Sequence, residues 1–288
     1  MKMVNLLYDY DARGPGKVIH NLMKGFEKIG VEFQSNNFDL PPSDGYYCGL
    51  LQSIPHVHDK KLYSALCGPN LFVLPSGWGE VCKNYKHFIV PSQWVHDKYR
   101  RFSDLDGATI DIWPVGIDTE FWTNSSSLTS DKRCLIYFKS RLCVEAIAVA
   151  NKLNQMGIAY DVLEYGHYNE KEMIEYCNRC NFAILITGTE SQGIGYMEIL
   201  SMGLPCYVLN KTIWDYDSSC IVSSTSVPYF DETCGIIVDG ADLNRLDEFV
   251  QSINTYRPRD YICNNFTLAK KAKDYYELLE LYNCIGDE

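Results

Sequence analysis

Two glutamates, Glu190 and Glu198, stand on either side of a short glycine-containing loop, Ser191-Gln192-Gly193-Ile194-Gly195. Free N–H groups at a helix start, with the positive end of the helix dipole, form a site for an anion such as a diphosphate. The glycines let a bulky ligand approach the backbone. A carboxylate in the first helical turn suits paired hydroxyls such as those of a ribose, and one before the loop suits sugar hydroxyls. The spacing alone also fits an ordinary strand–helix–strand unit with two solvated carboxylates.

The segments around this loop predict the elements that position it. Phe182 to Ile186 is an apolar run typical of a buried parallel strand. Helical spacing starts at Tyr196 and stops at Gly203-Leu204-Pro205, since glycine and then proline end a helix. Cys206 to Leu209 predicts the next strand. The loop therefore follows the carboxyl end of a strand, where open α/β sheets bind their ligands.

The segment from Glu190 to Pro205 resembles the signature of family 4 retaining glycosyltransferases, which have the GT-B fold. That signature consists of a glutamate, seven residues, a second glutamate and a small-residue helix that ends in Gly-x-Pro. The resemblance implies that Glu190 contacts the donor sugar, that Glu198 binds the ribose, and that residues 191–195 line the donor. It also implies two Rossmann-like α/β domains that face each other across a cleft, with a C-terminal helix that crosses back to the first domain.

A basic pair, Lys139 and Arg141, follows the apolar run Cys134 to Phe138, which predicts another strand. This stretch resembles the family's strand followed by Gly-Arg-Leu, which implies that Arg141 neutralises the leaving diphosphate. The family's second cation stands five positions later, where this chain has Ala146, and Lys139 is the expected substitute. The alternative is a solvated pair at a strand end, in which alternation turns Lys139 away from the ligand.

A second glycine-containing loop, which includes Gly14 and Gly16, is predicted between a first strand, Val4 to Tyr8, and a helix, Lys17 to Lys28. A loop at this position is an anion cradle by the same argument as above. In the family it faces the donor diphosphate and the acceptor, so both glycines are candidate donor-binding residues.

Histidines and a tyrosine complete the candidate site. The turn Tyr165-Gly166-His167-Tyr168 resembles the family's nucleobase-contacting turn, which implies base contacts by His167 and Tyr168. The chain has one strand–helix unit here where family members usually have two, so the base is not identified. Many family members also carry a histidine in the first domain near the reacting sugar. The sequence does not choose among the candidates, which are His20, His56, His58 and His87.

Composition restricts the partners. The 288 residues carry a formal net charge of −11, which argues against nucleic acid or an anionic membrane as the main partner. The sequence shows no long apolar run and no signal peptide at its start, so we expect a cytoplasmic protein without a transmembrane segment. Of the 12 cysteines only Cys177 and Cys180 have metal-ligand spacing, and they lack a second pair, so zinc is not expected. Asp9-x-Asp11 and Asp215-x-Asp217 fit a metal pair, but GT-B enzymes do not usually need one, and we expect no metal.

The sequence thus predicts an acceptor-side Rossmann-like domain at 1–130, a nucleotide-sugar-binding Rossmann-like domain at 131–265, and a terminal helix at 266–288 that packs on the first domain. The resemblance implies a retaining transferase that moves a hexose from a nucleotide-diphosphate sugar to a glycan or another hydroxyl acceptor, without a cofactor. GDP-mannose is favoured over a UDP-sugar because mannosyl transfer is frequent in the family. The alternatives are a GT-B-like sugar-nucleotide epimerase and a non-catalytic nucleotide-sugar- or glycan-binding protein.

Overall fold

The computed structural model describes residues 4–8, 14–37, 45–48, 66–69, 85–101, 105–124, 132–215 and 221–282. The chain divides into two compact units, the first formed by residues 1–116 with 266–288 and the second by residues 117–265. Residues 123–130, a polar stretch without periodicity that fits a linker before the predicted boundary at 130, lie mostly outside the described residues.

Both units contain strands and helices. The strands are β1 (Val4–Leu7), β2 (Phe33–Ser35), β3 (Gly45–Cys48), β4 (Leu66–Cys67), β5 (His87–Val90), β6 (Thr109–Ile112), β7 (Arg133–Lys139), β8 (Ala159–Glu164), β9 (Phe182–Thr187), β10 (Cys206–Asn210), β11 (Ile213–Asp215), β12 (Ile221–Ser223) and β13 (Gly235–Asp239). The helices are α1 (Gly14–Ile29), α2 (Gln93–Tyr99), α3 (Cys143–Gln155), α4 (Glu170–Arg179), α5 (Ile194–Ser201), α6 (Leu246–Ser252), α7 (Pro258–Asn265) and α8 (Leu268–Leu281).

The first unit is built on a parallel sheet in the order β2-β1-β3-β4-β5-β6. Helix α8, from the end of the chain, packs against α1. A Cβ atom at Gly25 of α1 would lie 2.7 Å from the Cβ of Ala272, so the two helices approach closely. The rings of Phe26 and Trp113 both meet the Tyr275 ring edge-on, with centroids 5.9 Å and 4.9 Å away. The terminal helix therefore completes the core of the first unit.

The second unit contains a parallel sheet in the order β13-β10-β9-β7-β8 and a separate antiparallel pair, β11 and β12. Every residue of the central strand β9 is buried, as expected for a parallel strand that is covered on both faces. One apolar cluster joins α3 and α6 to the sheet, through side chains that include Val149, Leu153, Ile184 and Phe249. This core makes the sheet a rigid base for the loops at its edge.

Two predicted boundaries differ from the structure, and one helix was not predicted. Gly14 and Gly16 were predicted in a loop before the helix, but they lie in the first turn of α1. A proline at position 15 fits a first turn, because the N–H that proline lacks has no helical partner there. Helix α5 starts at Ile194 because Gly193 adopts a left-handed conformation that serves as its N-cap. Helix α7 is not predicted by the sequence. The apolar run Leu71 to Leu74, which is typical of a buried strand, lies outside the described residues.

Most of the described cysteines are small core residues. Six of them are buried: Cys67, Cys134, Cys177, Cys180, Cys206 and Cys234. Burial raises the pKa of the thiols of Cys180 and Cys234 to about 12. These thiols are therefore protonated at neutral pH and are poor nucleophiles.

Candidate functional site

The predicted site residues of the second unit gather at one edge of its sheet. The five strands are parallel, so their carboxyl ends lie together. Lys139 ends β7, and Glu190 follows β9 after a two-residue connection. The backbone N–H of Glu190 donates to the Thr225 carbonyl at 3.0 Å, and the Thr225 hydroxyl donates to Asn210 Oδ1 at 3.0 Å. Glu190 is thus fixed by the loop after β12 and by the end of β10.

Lys139 and Glu190 form a close ion pair. The Lys139 Nζ lies 2.8 Å from Glu190 Oε1 and 2.9 Å from Oε2, with side-chain exposures of 23% and 10%. The same Nζ stands 4.3 Å from the centroid of the Tyr165 ring, a cation–π distance. Burial raises the pKa of the Glu190 carboxyl, and the Lys139 charge opposes that rise. The Lys139 side chain therefore turns toward Glu190, and its role toward a diphosphate stays a prediction.

The loop and the start of α5 carry two glycines, Gly193 and Gly195, where the backbone has no side chain. Gly193 has φ 82° and ψ 49°, and its carbonyl accepts a hydrogen bond from the Met197 N–H at 3.2 Å. A Cβ atom at Gly195 would lie 2.5 Å from the Tyr137 hydroxyl oxygen, so this position excludes a side chain. Gln192 is buried and donates to Met197 Sδ of α5 at 3.7 Å. Ser191 and Ile194 are half-buried.

Glu198 lies inside the same helix and is 2% exposed. Its charge, like that of Glu190, contributes to the raised pKa of Tyr137, whose main cause is burial. Both predicted glutamates therefore act electrostatically on one tyrosine of β7. Tyr137 is a site residue that the sequence analysis missed, although strict alternation along β7 puts it on the same side as Lys139.

Arg141 is held by four hydrogen bonds within the protein. Its Nε donates to Glu145 Oε2 at 2.8 Å, and its Nη2 donates to Glu145 Oε1. Its Nη1 donates to the carbonyls of Thr187 and Leu209, both at 3.0 Å. At most one of its five N–H groups remains for a ligand. Arg141 thus connects the ends of β9 and β10. The sequence analysis missed its partner Glu145, although the i,i+4 spacing of the two residues indicates such a pair.

The turn after β8 contributes one residue to this group. Tyr168 donates from its hydroxyl to the Tyr137 hydroxyl at 3.3 Å. His167 is exposed, and its N–H closes the turn onto the Glu164 carbonyl at 3.0 Å. Tyr168 and Tyr137 therefore connect the predicted base-binding turn to the start of α5.

The remaining candidates belong to the first unit. Gly14 and Gly16 lie in the first turn of α1, and His20 is exposed on the same helix. His87 stacks on the Tyr282 ring, with centroids 4.1 Å apart, and its Nδ1 lies 2.9 Å from Thr109 Oγ1. Partial burial lowers the pKa of His87. His56 and His58 lie outside the described residues.

Arg259 fixes the far end of α5 and was missed because α7, which carries it, was not predicted. Its Nη1 donates to the carbonyls of Ser201 at 2.6 Å and Trp122 at 2.9 Å, and its Nη2 donates to that of Thr119 at 3.0 Å. A cation at a helix C-terminus is favourable because the last carbonyls lack helical partners. Both ends of the candidate ligand-binding helix are thus held by specific contacts.

Among the described residues, no group of three or more His, Cys, Asp or Glu side chains is placed to hold a metal ion. Asp9, Asp11 and Asp217 lie outside that part of the chain. The expectation of metal-independent chemistry stays a prediction.

No family model matches the sequence, and no curated protein matches it significantly. Solved structures do match the fold. Sucrose-phosphate synthase from Thermosynechococcus elongatus aligns with a TM-score of 0.62 and 11% identity over 98% of this chain and 99% of that one. The lipopolysaccharide outer core galactosyltransferase WaaB, in its apo form, aligns with a TM-score of 0.61 and 9% identity over 97% and 99%.

HepE from Anabaena, solved in complex with UDP and glucose, aligns with a TM-score of 0.59 and 9% identity over 98% of this chain and 100% of that one. These identities are too low to assign an activity, but the alignments extend over nearly the whole chain. The chain therefore has the fold of GT-B glycosyltransferases.

Proposed function

We propose that this protein is a glycosyltransferase that moves a hexose from a nucleotide-diphosphate sugar to a hydroxyl acceptor. One observation carries the proposal. In a chain with the GT-B fold, Lys139, Glu190 and Glu198 lie at the same edge of the sheet as the start of α5. Two structures with this fold support it: WaaB is a galactosyltransferase, and the HepE structure holds UDP and glucose.

The diphosphate of the donor would lie against the start of α5. The N–H groups of residues 192–195 and the helix dipole attract an anion. Lys139 is the available cation, and Arg141 offers at most one further N–H group. Together these donors would stabilise the charge that develops on the phosphate as the sugar leaves.

The other side chains would fix the two ends of the donor. Glu198 would accept hydrogen bonds from the ribose hydroxyls, and Glu190 would hold the hexose. His167 and Tyr168 would contact the nucleobase, with Ser191 and Gln192 shaping the loop between them. The roles of Gly14 and Gly16 toward the donor diphosphate and the acceptor stay predictions from the resemblance.

The finer chemistry follows the resemblance to family 4. We propose a retaining reaction in which the acceptor attacks on the face that the diphosphate leaves, and the leaving phosphate takes the acceptor's proton. The reaction needs no metal in this account. GDP-mannose is the favoured donor, and a UDP-sugar is the alternative.

The proposed acceptor is a carbohydrate, and the proposed location is the cytoplasm. Among the described residues, no helix combines the length and apolar character that crossing a bilayer requires. The net charge predicts that the protein binds anionic membranes only weakly, and this stays a prediction.

The test is release of nucleoside diphosphate from GDP-mannose, UDP-glucose and UDP-galactose, each with and without a panel of mono- and oligosaccharide acceptors. We expect acceptor-dependent release from one donor, unchanged by EDTA, and loss of most of it in Glu190→Gln. Interconversion of a free nucleotide sugar without acceptor would identify an epimerase instead. Absence of both reactions, with no binding of any nucleotide sugar, would contradict the proposal.

A non-catalytic nucleotide-sugar-binding protein is the second candidate. It is favoured by the four internal hydrogen bonds of Arg141, which leave little of this side chain for a leaving diphosphate. Donor binding without turnover against every acceptor in the panel would support this candidate.

A further inference from the structure

We propose that Asn210, the last residue of β10, binds the hexose of the donor. The N–H groups of its side-chain amide donate to a hydroxyl oxygen of the sugar, and that hydroxyl donates its own proton to Glu190. The inference deepens the proposed function and rests on it, because it needs a nucleotide sugar at this edge of the sheet. Neither the spacing of the two glutamates nor the resemblance gives Asn210 a role.

Asn210 is aligned with the site residues across the sheet. Lys139 of β7 pairs with Thr187 of β9, and continuing the register between β9 and β10 aligns Asn210 with Thr187. Aligned residues of neighbouring strands turn their side chains to the same face, so Asn210 shares the face of Lys139. The apolar cluster with α3 and α6 supports this, since it contains Leu209 and so takes the opposite face of β10.

The orientation of the Asn210 amide is fixed. The backbone N–H of Ser226 donates to Asn210 Oδ1 at 2.8 Å, and the Thr225 hydroxyl donates to the same oxygen at 3.0 Å. A backbone N–H can only donate, so the atom that it meets must be the amide oxygen and not the nitrogen. The Nδ2 is therefore directed away from these two donors.

The two N–H groups of Asn210 Nδ2 are available to a ligand. No acceptor in the described part of the chain meets them, and the half-buried residue leaves the nitrogen accessible. Backbone carbonyls at this sheet edge already have donors. The Thr187 carbonyl accepts from Arg141 Nη1 and from Ser226 Oγ, both at 3.0 Å, and the Leu209 carbonyl also accepts from Arg141 Nη1.

One residue connects Asn210 to Glu190. Thr225, whose hydroxyl binds Asn210 Oδ1, accepts the backbone N–H of Glu190 at its carbonyl, at 3.0 Å. The amide of Asn210 therefore lies beside the loop that carries Glu190, the residue proposed to hold the hexose.

An amide donor complements a carboxylate in binding a sugar. A hydroxyl has one proton to donate, and its oxygen accepts hydrogen bonds. Glu190, ionised in its pair with Lys139, can only accept, so a hydroxyl that donates to it needs a donor for its own oxygen. The Nδ2 of Asn210 supplies that donor without adding a charge.

Calorimetry with two ligand pairs, UDP-glucose with UDP and GDP-mannose with GDP, separates the hexose from the rest of the donor. We define the hexose contribution as the dissociation constant of the nucleoside diphosphate divided by that of the nucleotide sugar. Asn210→Asp keeps an oxygen for Ser226 and Thr225 to bind and loses the N–H donors. We expect the hexose contribution to fall about 5- to 100-fold in this variant.

The charge added by Asn210→Asp cannot imitate this result. UDP and GDP end in a phosphate monoester and carry more negative charge near neutral pH than the intact nucleotide sugars. A carboxylate at position 210 repels the more charged ligand more strongly, so repulsion alone would raise the hexose contribution. A fall therefore reports a lost contact with the hexose.

Two further variants complete the test. Asn210→Ala removes the N–H groups without adding a charge, and we expect the hexose contribution to fall about 3- to 10-fold. The matched control is Asn181→Asp at the amino edge of the same sheet, where Asn181 Oδ1 accepts the Arg133 N–H at 2.8 Å. Its hexose contribution should equal that of the wild type. Thermal unfolding checks the fold of each variant.

The outcomes separate the two proposals. An unchanged hexose contribution in folded Asn210→Asp overturns this inference and leaves the proposed function standing. Equal weakening of both ligands, which would assign Asn210 to the diphosphate, overturns it as well. Where Asn210→Asp does not fold or does not bind, the hexose contribution in Asn210→Ala decides in the same way. Absence of binding of every nucleotide sugar to the wild type contradicts the proposed function, and the inference falls with it.

Discussion

Glu198 is a carboxylate that an apolar helix carries into the interior, where it is 2% exposed. Burying a carboxylate is unfavourable unless its hydrogen bonds are satisfied. In our account a ribose supplies part of them when the donor binds. Glu198→Gln keeps the shape and removes the charge, so we expect donor affinity to fall about 10- to 100-fold, the range for a hydrogen bond to a charged group. Calorimetric titration with the preferred donor measures the change.

The matched control is Glu175→Gln on the exposed face of α4, which should leave the affinity within error of the wild type. Thermal unfolding of both variants checks the fold. Equal affinities for wild type and Glu198→Gln, with both proteins folded, would remove Glu198 from the site.

At the scale of elements, the start of α5 depends on the absence of a side chain at position 195. A Cβ atom there would lie 2.5 Å from the Tyr137 hydroxyl oxygen, so Gly195→Ala should lower the free energy of unfolding by about 1–3 kcal/mol and weaken donor binding. Tyr137→Phe removes the hydroxyl and should restore part of the stability lost by Gly195→Ala. Chemical denaturation of the two single variants and the double variant measures this coupling. Additive effects would contradict the contact.

The pair of Arg141 and Glu145 should make stability depend on pH. Arg141 lowers the pKa of Glu145 below its ordinary value of 4.5. A carboxyl whose pKa is lower in the folded state stabilises the fold above its unfolded pKa and loses that effect as pH falls through the folded pKa. The stability difference between wild type and Glu145→Gln should therefore be largest near neutral pH and shrink below pH 4.5. Urea unfolding at a series of pH values measures it.

A difference that stays constant from neutral pH to below the Glu145 pKa would contradict this account of Arg141. So would a difference that grows as the pH falls. Either result would mean that Arg141 does not hold Glu145 in solution, which would free the Nε and Nη2 donors of Arg141 for a ligand.

Over the whole molecule, the sequence predicted the central strands of the second unit because they are apolar runs separated by glycine and proline stops, whereas α7 was not predicted. The sequence singles out Glu190, Lys139 and the loop before α5 because their spacing follows a local pattern, and their roles stay predictions. Tyr137 and Glu145 were missed although local patterns signal them, alternation along β7 for Tyr137 and i,i+4 spacing for Glu145, because neither pattern says which partners the packed side chains meet. Arg259 was missed because α7 was not predicted, and its acceptors are backbone carbonyls distant in sequence.

The net charge is also a property of the whole molecule. With a formal charge of −11, the protein should be repelled by anionic bilayers. We expect little sedimentation with vesicles that contain about a third phosphatidylserine, at low salt, where electrostatic attraction is strongest. Binding that is tight and weakened by salt would contradict this and point to a lipid-linked acceptor.

The central claim is that a nucleotide sugar binds at the carboxyl edge of the second unit's sheet. The most direct measurement is a crystal structure of the protein with the nucleoside diphosphate of its preferred donor. The account predicts density with the diphosphate at the start of α5, within hydrogen-bond distance of Lys139, and the ribose beside Glu198. Density at another surface, with the pair of Lys139 and Glu190 unchanged, would contradict it.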